Sequence, residues 1–228
     1  PRGPLDEGGA WDADTQVQED GDWTEVTLTL TGPWDWGEML LAGRPVSFRN
    51  PREAAHEGMT YLSEDRKGRG LHVRFGLREN LTLMALNRHA RPWLQPASEA
   101  AALEQAVREF GIRCGSPDVT AGSLSGGNQQ KLALAKVLHP GPRVVVLDEP
   151  TRGVDVGAKS EIHHILRDLA CQGVGVVVIS SELPEIIGLC DRALVIRDGR
   201  VAGEVQGKDM TEEALLRLAS SGTSPESM

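Results

Sequence analysis

No apolar run in this 228-residue chain approaches the length needed to cross a bilayer, and no GxxxxGK[ST] phosphate loop occurs anywhere in it. The longest apolar stretches, such as Val176–Ile179, are strand-sized, so any membrane association is expected to come through a partner. Basic residues are in deficit: 24 Lys and Arg against 33 Asp and Glu leave a formal net charge of −9. That argues against a nucleic-acid binder, whose phosphate contacts need a basic face. The three cysteines, Cys114, Cys171 and Cys190, are an odd number at no metal-like spacing and are expected to be small buried thiols in a reducing compartment. The opening Pro1-Arg2-Gly3-Pro4 is not followed by an apolar segment, so no secretory leader is expected. The nearest string to a phosphate loop, Gly153–Ser160, has Ala158 where the second glycine belongs. It also does not follow a strand directly, and is not read as one.

What is there is organised. Residues 1–22 show no evident period and are expected to be irregular. Val144–Leu147, Gly175–Ile179 and Ala193–Ile196 are short apolar runs rich in β-branched residues. Between the first two, Ile162, Ile165, Leu166 and Leu169 recur at helical spacing. Buried strands alternating with amphipathic helices predict a parallel sheet. Asp198-Gly199 between two strand-like runs predicts an antiparallel hairpin at its edge. Residues 77–140 read as helical. Ser98 is a candidate cap for a helix presenting Leu103, Val107 and Phe110, with Gly111 to end it. A second helix runs from Gly126-Gly127 through Leu138 and stops at Pro140.

Two clusters carry chemistry. Residues 123–131 read Ser-Leu-Ser-Gly-Gly-Asn-Gln-Gln-Lys. A glycine-containing turn that opens a helix offers backbone N–H groups and the positive end of the helix dipole to a phosphate. Ser125 adds a hydroxyl, and Gly126 and Gly127 leave amides uncovered. Taken alone, a plain Ser-Gly-Gly helix cap is the simpler reading. Asp148-Glu149 end the apolar run Val144–Leu147, where α/β proteins put Mg²⁺ ligands and bases for phosphoryl chemistry. Two solvated acids at a strand end are the simpler reading there.

Together the clusters resemble the signature and Walker B motifs of an ATP-binding-cassette (ABC) ATPase. TYLSEDRK at 60–67, LSGGNQQK at 124–131, DEPTRGVDVGAK at 148–159 and ISSELPE at 179–185 narrow the likeness. They resemble the second ATPase domain of bacterial monosaccharide importers of the ribose/galactose/xylose kind, over roughly residues 36–218. The resemblance implies an α/β fold: a RecA-like P-loop NTPase core on a parallel sheet, an ABC helical subdomain and an antiparallel β edge. It divides the chain into an irregular 1–22, a core of 23–76 and 141–219, a helical subdomain of 77–140 and a disordered tail of 220–228.

The same resemblance implies roles. Leu124, Ser125, Gly126, Gly127, Asn128 and Gln129 would contact the nucleotide of an opposing ATPase domain, in trans, with Asn128 where many relatives have Gln. Asp148 would hold Mg²⁺ through water and Glu149 would polarise the attacking water. Asp155 matches the D-loop, against a plain turn aspartate. Glu64 stands at the Q-loop position, against a solvated turn. Ser181 occupies the switch position usually held by His, and offers a hydroxyl but no positive charge. His163 and His164 read as surface or core-edge residues of the preceding helix. ATP and Mg²⁺ are the implied cofactors. The implied partners are a second ABC ATPase domain, transmembrane permease subunits and, indirectly, a sugar-binding protein; no nucleic acid is expected. The implied location is cytoplasmic, peripheral on the inner face of the membrane.

Residues 24–32 resemble the helix after the family's phosphate loop, which would put that loop at Gln16–Trp23. Glu19, Asp20 and Asp22 stand there, where amides and a cation should face phosphate. Residues 1–35 have therefore either diverged or are not the family's sequence. Two readings follow: an ATP-hydrolysing domain powering sugar import, or a catalytically silent docking or regulatory half-domain. A soluble ABC ATPase of DNA repair or translation is disfavoured by the acidic balance and the SEDRK loop.

Overall fold

The computed structural model describes residues 11–19, 22–30, 37–90 and 92–220, with side chains from residue 39 onward except that of residue 67. They divide into two compact units, residues 1–47 with 181–228, and residues 48–180.

The first unit opens with an antiparallel sheet ordered β1 (Trp11–Glu19), β2 (Asp22–Leu30), β3 (Gly37–Leu41) and β4 (Arg44–Val46). β1 and β2 pair from Trp11↔Leu30 to Glu19↔Asp22. This corrects two expectations where the residues are described: 11–19 and 22, expected to be irregular, and 24–30, expected to be helical, are strands, while the rest of 1–22 and residues 31–32 lie outside the described residues. The signal is in the sequence: Trp11, Ala13, Thr15 and Val17, then Thr24, Val26, Leu28 and Leu30, alternate with a period of two. Threonine and valine also favour strand over helix.

The second unit begins with α1 (Pro51–His56), whose Asn50 cap accepts from the Glu53 N–H at 3.0 Å while Glu53 accepts from the Arg49 N–H at 2.9 Å. β5 (Met59–Leu62) follows. Next come a π-turn over Arg66–Gly70 and the helices α2 (Leu77–Thr82), α3 (Leu86–His89) and α4 (Pro96–Glu109). α5 (Gly126–Leu138), β6 (Val144–Asp148), α6 (Val156–Cys171) and β7 (Gly175–Ile179) complete the unit. β5, β6 and β7 form a parallel sheet, with Leu62 level with Leu147 and Asp148 with Ile179. Leu62, Val144, Val145 and Leu147 are buried in it. α5 packs against β5, α2 and α6, and every residue from Gln129 to Val137 is buried. That is the pattern of a helix enclosed on all sides.

α4 starts at Pro96, not at a Ser98 cap; proline presets the first helical φ. Ser98 Oγ lies 2.8 Å from His89 Nδ1 instead. Leu103 and Ala106 are the buried apolar residues of α4, with Val107 and Phe110 half-buried. Gly111 ends the helix at φ +56°.

The first unit resumes with α7 (Leu183–Leu189), the hairpin β8 (Arg192–Arg197) and β9 (Arg200–Gln206), and α8 (Glu212–Ser220). The expected hairpin turn is there: Asp198 and Gly199 both have positive φ, 51° and 73°. Gly203 admits α8, since a Cβ there would sit 2.6 Å from Leu218 Cδ2. The expected tail after Ser220 lies outside the described residues. The cysteines are free, but Cys171 is exposed and Cys114 and Cys190 are half-buried, which corrects the expectation of three buried thiols. Burial raises the Cys190 thiol to about 11. Among the described residues no helix is long and apolar enough to cross a membrane.

Candidate functional site

Ser125 caps α5. Its Oγ receives the Asn128 side-chain amide at 3.0 Å and, at 3.4 Å, the Asn128 backbone N–H. The Asn128 amide is oriented from its other end, because the Arg113 backbone N–H donates to Oδ1 at 2.8 Å. With two donors pointing at it, the Ser125 hydroxyl is left to donate its own proton outward, which suits an acceptor-only ligand such as a phosphoryl oxygen. Leu124 and Gln129 face inward instead. Gln129 donates to Leu124 O at 3.1 Å and is 5% exposed, so it holds the loop rather than presenting its amide to a ligand.

The two glycines have different reasons. At Gly127 a Cβ would stand 2.6 Å from Ala158 Cβ, so this residue lets the first turns of α5 and α6 meet. At Gly126 a Cβ would meet Gly153 O at 3.3 Å and an Arg66 guanidinium nitrogen at 3.6 Å. Asp155 caps α6 by accepting from the Ala158 N–H at 2.9 Å. That backbone hydrogen bond holds its carboxyl below the usual range.

Behind the loop lies an ion cluster that the motifs do not announce. Lys131 is 2% exposed; its Nζ donates to Gly111 O at 2.5 Å and to Glu161 Oε2 at 2.6 Å. The second Glu161 oxygen receives Arg113 at 2.8 Å. The Lys131 hydrogen bond leads the effects that pull the Glu161 carboxyl down. The sequence offers little hint of it, since α5 carries two lysines, Lys131 and Lys136, beside Asn128, Gln129 and Gln130.

The carboxylates stand elsewhere in the same unit. Asp148, half-buried at the end of β6, accepts from the hydroxyl of Tyr61 on neighbouring β5 at 2.6 Å. This bond raises the phenol's pKa. Glu149 has φ +49°, a strained value for a side-chain-bearing residue, and its N–H donates to Ile179 O at 2.8 Å. Glu64 is ion-paired with Arg152. Neither Tyr61 nor Arg152 could be assigned a role from spacing, because both contacts span nearly ninety residues of chain. Ser181 belongs to the other unit, exposed ahead of α7. His163 is half-buried and His164 exposed on α6.

The donors Asp148 and Glu149 are the hard oxygen type that suits Mg²⁺. Among the described residues no three His, Cys, Asp or Glu side chains cluster as a metal site. A Mg²⁺ here would need phosphate oxygens and water as its remaining ligands, as that ion commonly does. Of the segment where the family's phosphate loop would fall, the described residues 16–19 and 22–23 lie in β1 and β2, with Glu19 opposite Asp22.

This is the constellation of an ATP-binding cassette, and the chain belongs to the ABC transporter family, whose model matches residues 25–152. It is 51% identical over 189 residues to ribose import ATP-binding protein RbsA 2 of Rhizobium meliloti (strain 1021), covering 82% of this chain and 37% of that protein. It is 49% identical over 202 residues to the RbsA 2 of Burkholderia pseudomallei (strain 1710b), covering 86% and 39%. The chain thus spans well under half the length of these relatives. Among solved structures it resembles a nucleotide-free ATP-binding cassette from an ABC transporter, at TM-score 0.64 and 21% identity over 80% of this chain and 74% of that one. A dimeric cassette in a post-hydrolysis state bound to ADP and Pi gives TM-score 0.64 at 20% identity, over 75% and 74%. These likenesses carry the α/β cassette fold.

Proposed function

We propose that this chain is an ATPase domain of a monosaccharide importer, the second of a pair, whose signature loop completes an ATP site held by a partner ATPase domain. The observation that carries this reading is the Ser125 hydroxyl, set by two Asn128 donors to face an acceptor, at the start of α5. In this reading 77–140 is the helical subdomain and ribose, the cargo named for the relatives, is the transported sugar. The partner ATPase domain, membrane permease subunits and a sugar-binding protein complete the assembly, on the inner face of the membrane.

Within the chain's own half-site, Asp148 would hold Mg²⁺ through water, and Glu149 would polarise the attacking water. Glu64 would take a second Mg²⁺-bound water, Asp155 would couple the sites, and Ser181 would donate to the γ-phosphate. ATP bound with Mg²⁺ supplies the phosphoryl group. The acidic Glu19, Asp20 and Asp22 oppose a self-sufficient grip on it. That observation favours a second reading, a catalytically silent docking or regulatory half-domain that hydrolyses nothing.

Isothermal titration of Mg²⁺–ATP into the chain tests both. Binding weaker than about 100 μM, together with a raised ATPase rate when the chain is added to an ABC ATPase domain bearing an intact phosphate loop, is the expected outcome. Micromolar affinity and turnover by the chain alone would overturn the in-trans emphasis. Failure to stimulate any such domain would leave the silent docking reading.

A further inference from the structure

Residues 111–113 leave the end of α4 as an exposed turn: Gly111, at φ +56°, and Arg113 face solvent, and Ile112 between them is buried. This turn carries the donor that orients Asn128, the Arg113 backbone N–H, 2.8 Å from Oδ1. A primary amide has an acceptor end and a donor end, and turning it over exchanges them. With Arg113 in place, the Asn128 nitrogen faces Ser125 Oγ at 3.0 Å and the hydroxyl proton of Ser125 points outward. With that donor withdrawn, Oδ1 would be free to face Ser125 and draw the hydroxyl proton inward. The position of one backbone N–H thus decides what the start of α5 offers a ligand.

Two side chains from other helices fix the turn. Lys131, on α5, donates from Nζ to Gly111 O at 2.5 Å and to Glu161 Oε2 at 2.6 Å. Glu161, on α6, receives the Arg113 guanidinium on Oε1 at 2.8 Å. The turn is therefore gripped at its first and last residues, and the grip closes on itself through Lys131 and Glu161. The Lys131 side chain is 2% exposed, whereas that of its carboxylate partner is 42% exposed. A buried charge recovers little beyond its desolvation cost, and an apolar residue of similar volume commonly serves the fold as well. Methionine at 131 would fill the same space. It would not hold the Gly111 carbonyl, so placing the turn, rather than stability, accounts for the ammonium.

We propose that Lys131 and Glu161 are positioning residues: they set the 111–113 turn so that Asn128, and through it the Ser125 hydroxyl, presents a donor to phosphate. The consequence for a partner's ATP site rests on the in-trans reading given above. The orientation of Asn128 does not.

Solvent exchange of the Asn128 side-chain amide, followed by NMR on the full chain without nucleotide, reads that orientation. The control is the side-chain amide of the buried Asn80, which donates to His72 O at 3.0 Å and to Gly76 O at 2.9 Å in the same unit. Lys131→Met is expected to speed exchange at Asn128 about fivefold and leave Asn80 unchanged, as loss of one hydrogen bond would. The melting temperature should fall by less than about 4 °C. Glu161→Gln, which keeps an acceptor and loses the charge, should speed Asn128 about twofold, and carries the test if Lys131→Met does not fold. In the double variant the acceleration should match Lys131→Met alone, because both changes act through one turn. Mixed with an ABC ATPase domain bearing an intact phosphate loop, Lys131→Met should stimulate about tenfold less than the unaltered chain. A merely structural lysine would lower stimulation only in step with stability.

Exchange at Asn128 unmoved by both variants, or equal acceleration at Asn80, would overturn the positioning role. So would undiminished stimulation by Lys131→Met with its Asn128 amide released. If the unaltered chain stimulates no partner, the in-trans reading fails, and the exchange measurement still decides whether the turn orients Asn128.

Discussion

The signature end and the carboxylate end of residues 48–180 are built differently. At the signature end Asn128, Gly126 and the buried Lys131 are held by contacts from other segments, namely Arg113, Arg66, Gly111 and Glu161, and Asn128 in turn holds the exposed Ser125. At the carboxylate end Asp148 is held by the hydroxyl of a half-exposed tyrosine, and Glu64 by an exposed ion pair. Buried, multiply bonded groups keep their geometry, whereas exposed single contacts do not. The chain therefore preorganises the half-site it would lend more firmly than the one it would use itself. An acidic segment with no phosphate loop ahead of Glu25 agrees with that contrast.

The contrast can be broken most forcefully at Glu161. Glu161→Ala would leave the ammonium of Lys131 buried with the Gly111 carbonyl as its remaining partner, and should cost about 3 kcal/mol by urea denaturation. Lys131→Met removes the buried charge itself and should cost about 1 kcal/mol or less. Equal costs would show that the cluster works by volume rather than charge.

Next is Gly127→Ala, expected to cost about 2 kcal/mol because the new methyl overlaps Ala158. Adding Ala158→Gly should recover part of that loss, although glycine in a helix costs about 1 kcal/mol of its own. If the double variant is no more stable than Gly127→Ala, the two helices do not meet as described.

A pH effect of similar size belongs to the far end of α5. His139 stacks on His89 with Nε2 atoms 2.7 Å apart, His89 reaches Ser98, and the Arg88 guanidinium donates to His139 O at 2.8 Å. Burial, then the neighbouring His89 and Arg88, lower the His139 pKa to about 4. A depressed pKa means the fold favours neutral imidazole. Its contribution is therefore complete above the unfolded value of about 6.5, and is lost as pH falls through 4. Stability should drop by about 2 kcal/mol between pH 7 and pH 4.5 from this group, and His139→Gln should flatten that part of the profile. An unchanged profile in the variant would remove His139 from the account.

The smallest effect is expected at the carboxylate end. Tyr61→Phe removes the Asp148 hydrogen bond from a half-exposed side chain and should change stability by less than about 1 kcal/mol. A loss comparable to Glu161→Ala would erase the difference between the two ends.

Legibility followed the same division. Motifs local in sequence were readable: β6 and β7 from their β-branched runs, α5 from its glycines and Pro140, the β8–β9 turn from Asp198-Gly199. What was not readable was long-range or competed for by a stronger pattern. The hairpin of β1 and β2 was hidden by a family expectation of loop and helix, although its period of two was present. Ser98 lost its expected capping role to Pro96 and to a histidine nine residues away. Gly127 was credited with exposing amides, whereas its position beside Ala158 gives it a packing role that only three dimensions reveal. Lys131, Glu161 and Arg66 form contacts across thirty to sixty residues of chain, which no spacing rule encodes.

The most direct measurement is steady-state ATPase of a partner ABC ATPase domain with an intact phosphate loop, mixed with this chain or its variants. Ser125→Ala, which removes the outward hydroxyl, should lower the stimulation about tenfold or more, while Glu149→Gln should lower it less than twofold. Loss of activity with Glu149→Gln and none with Ser125→Ala would place the working site on this chain's own carboxylates and contradict the account.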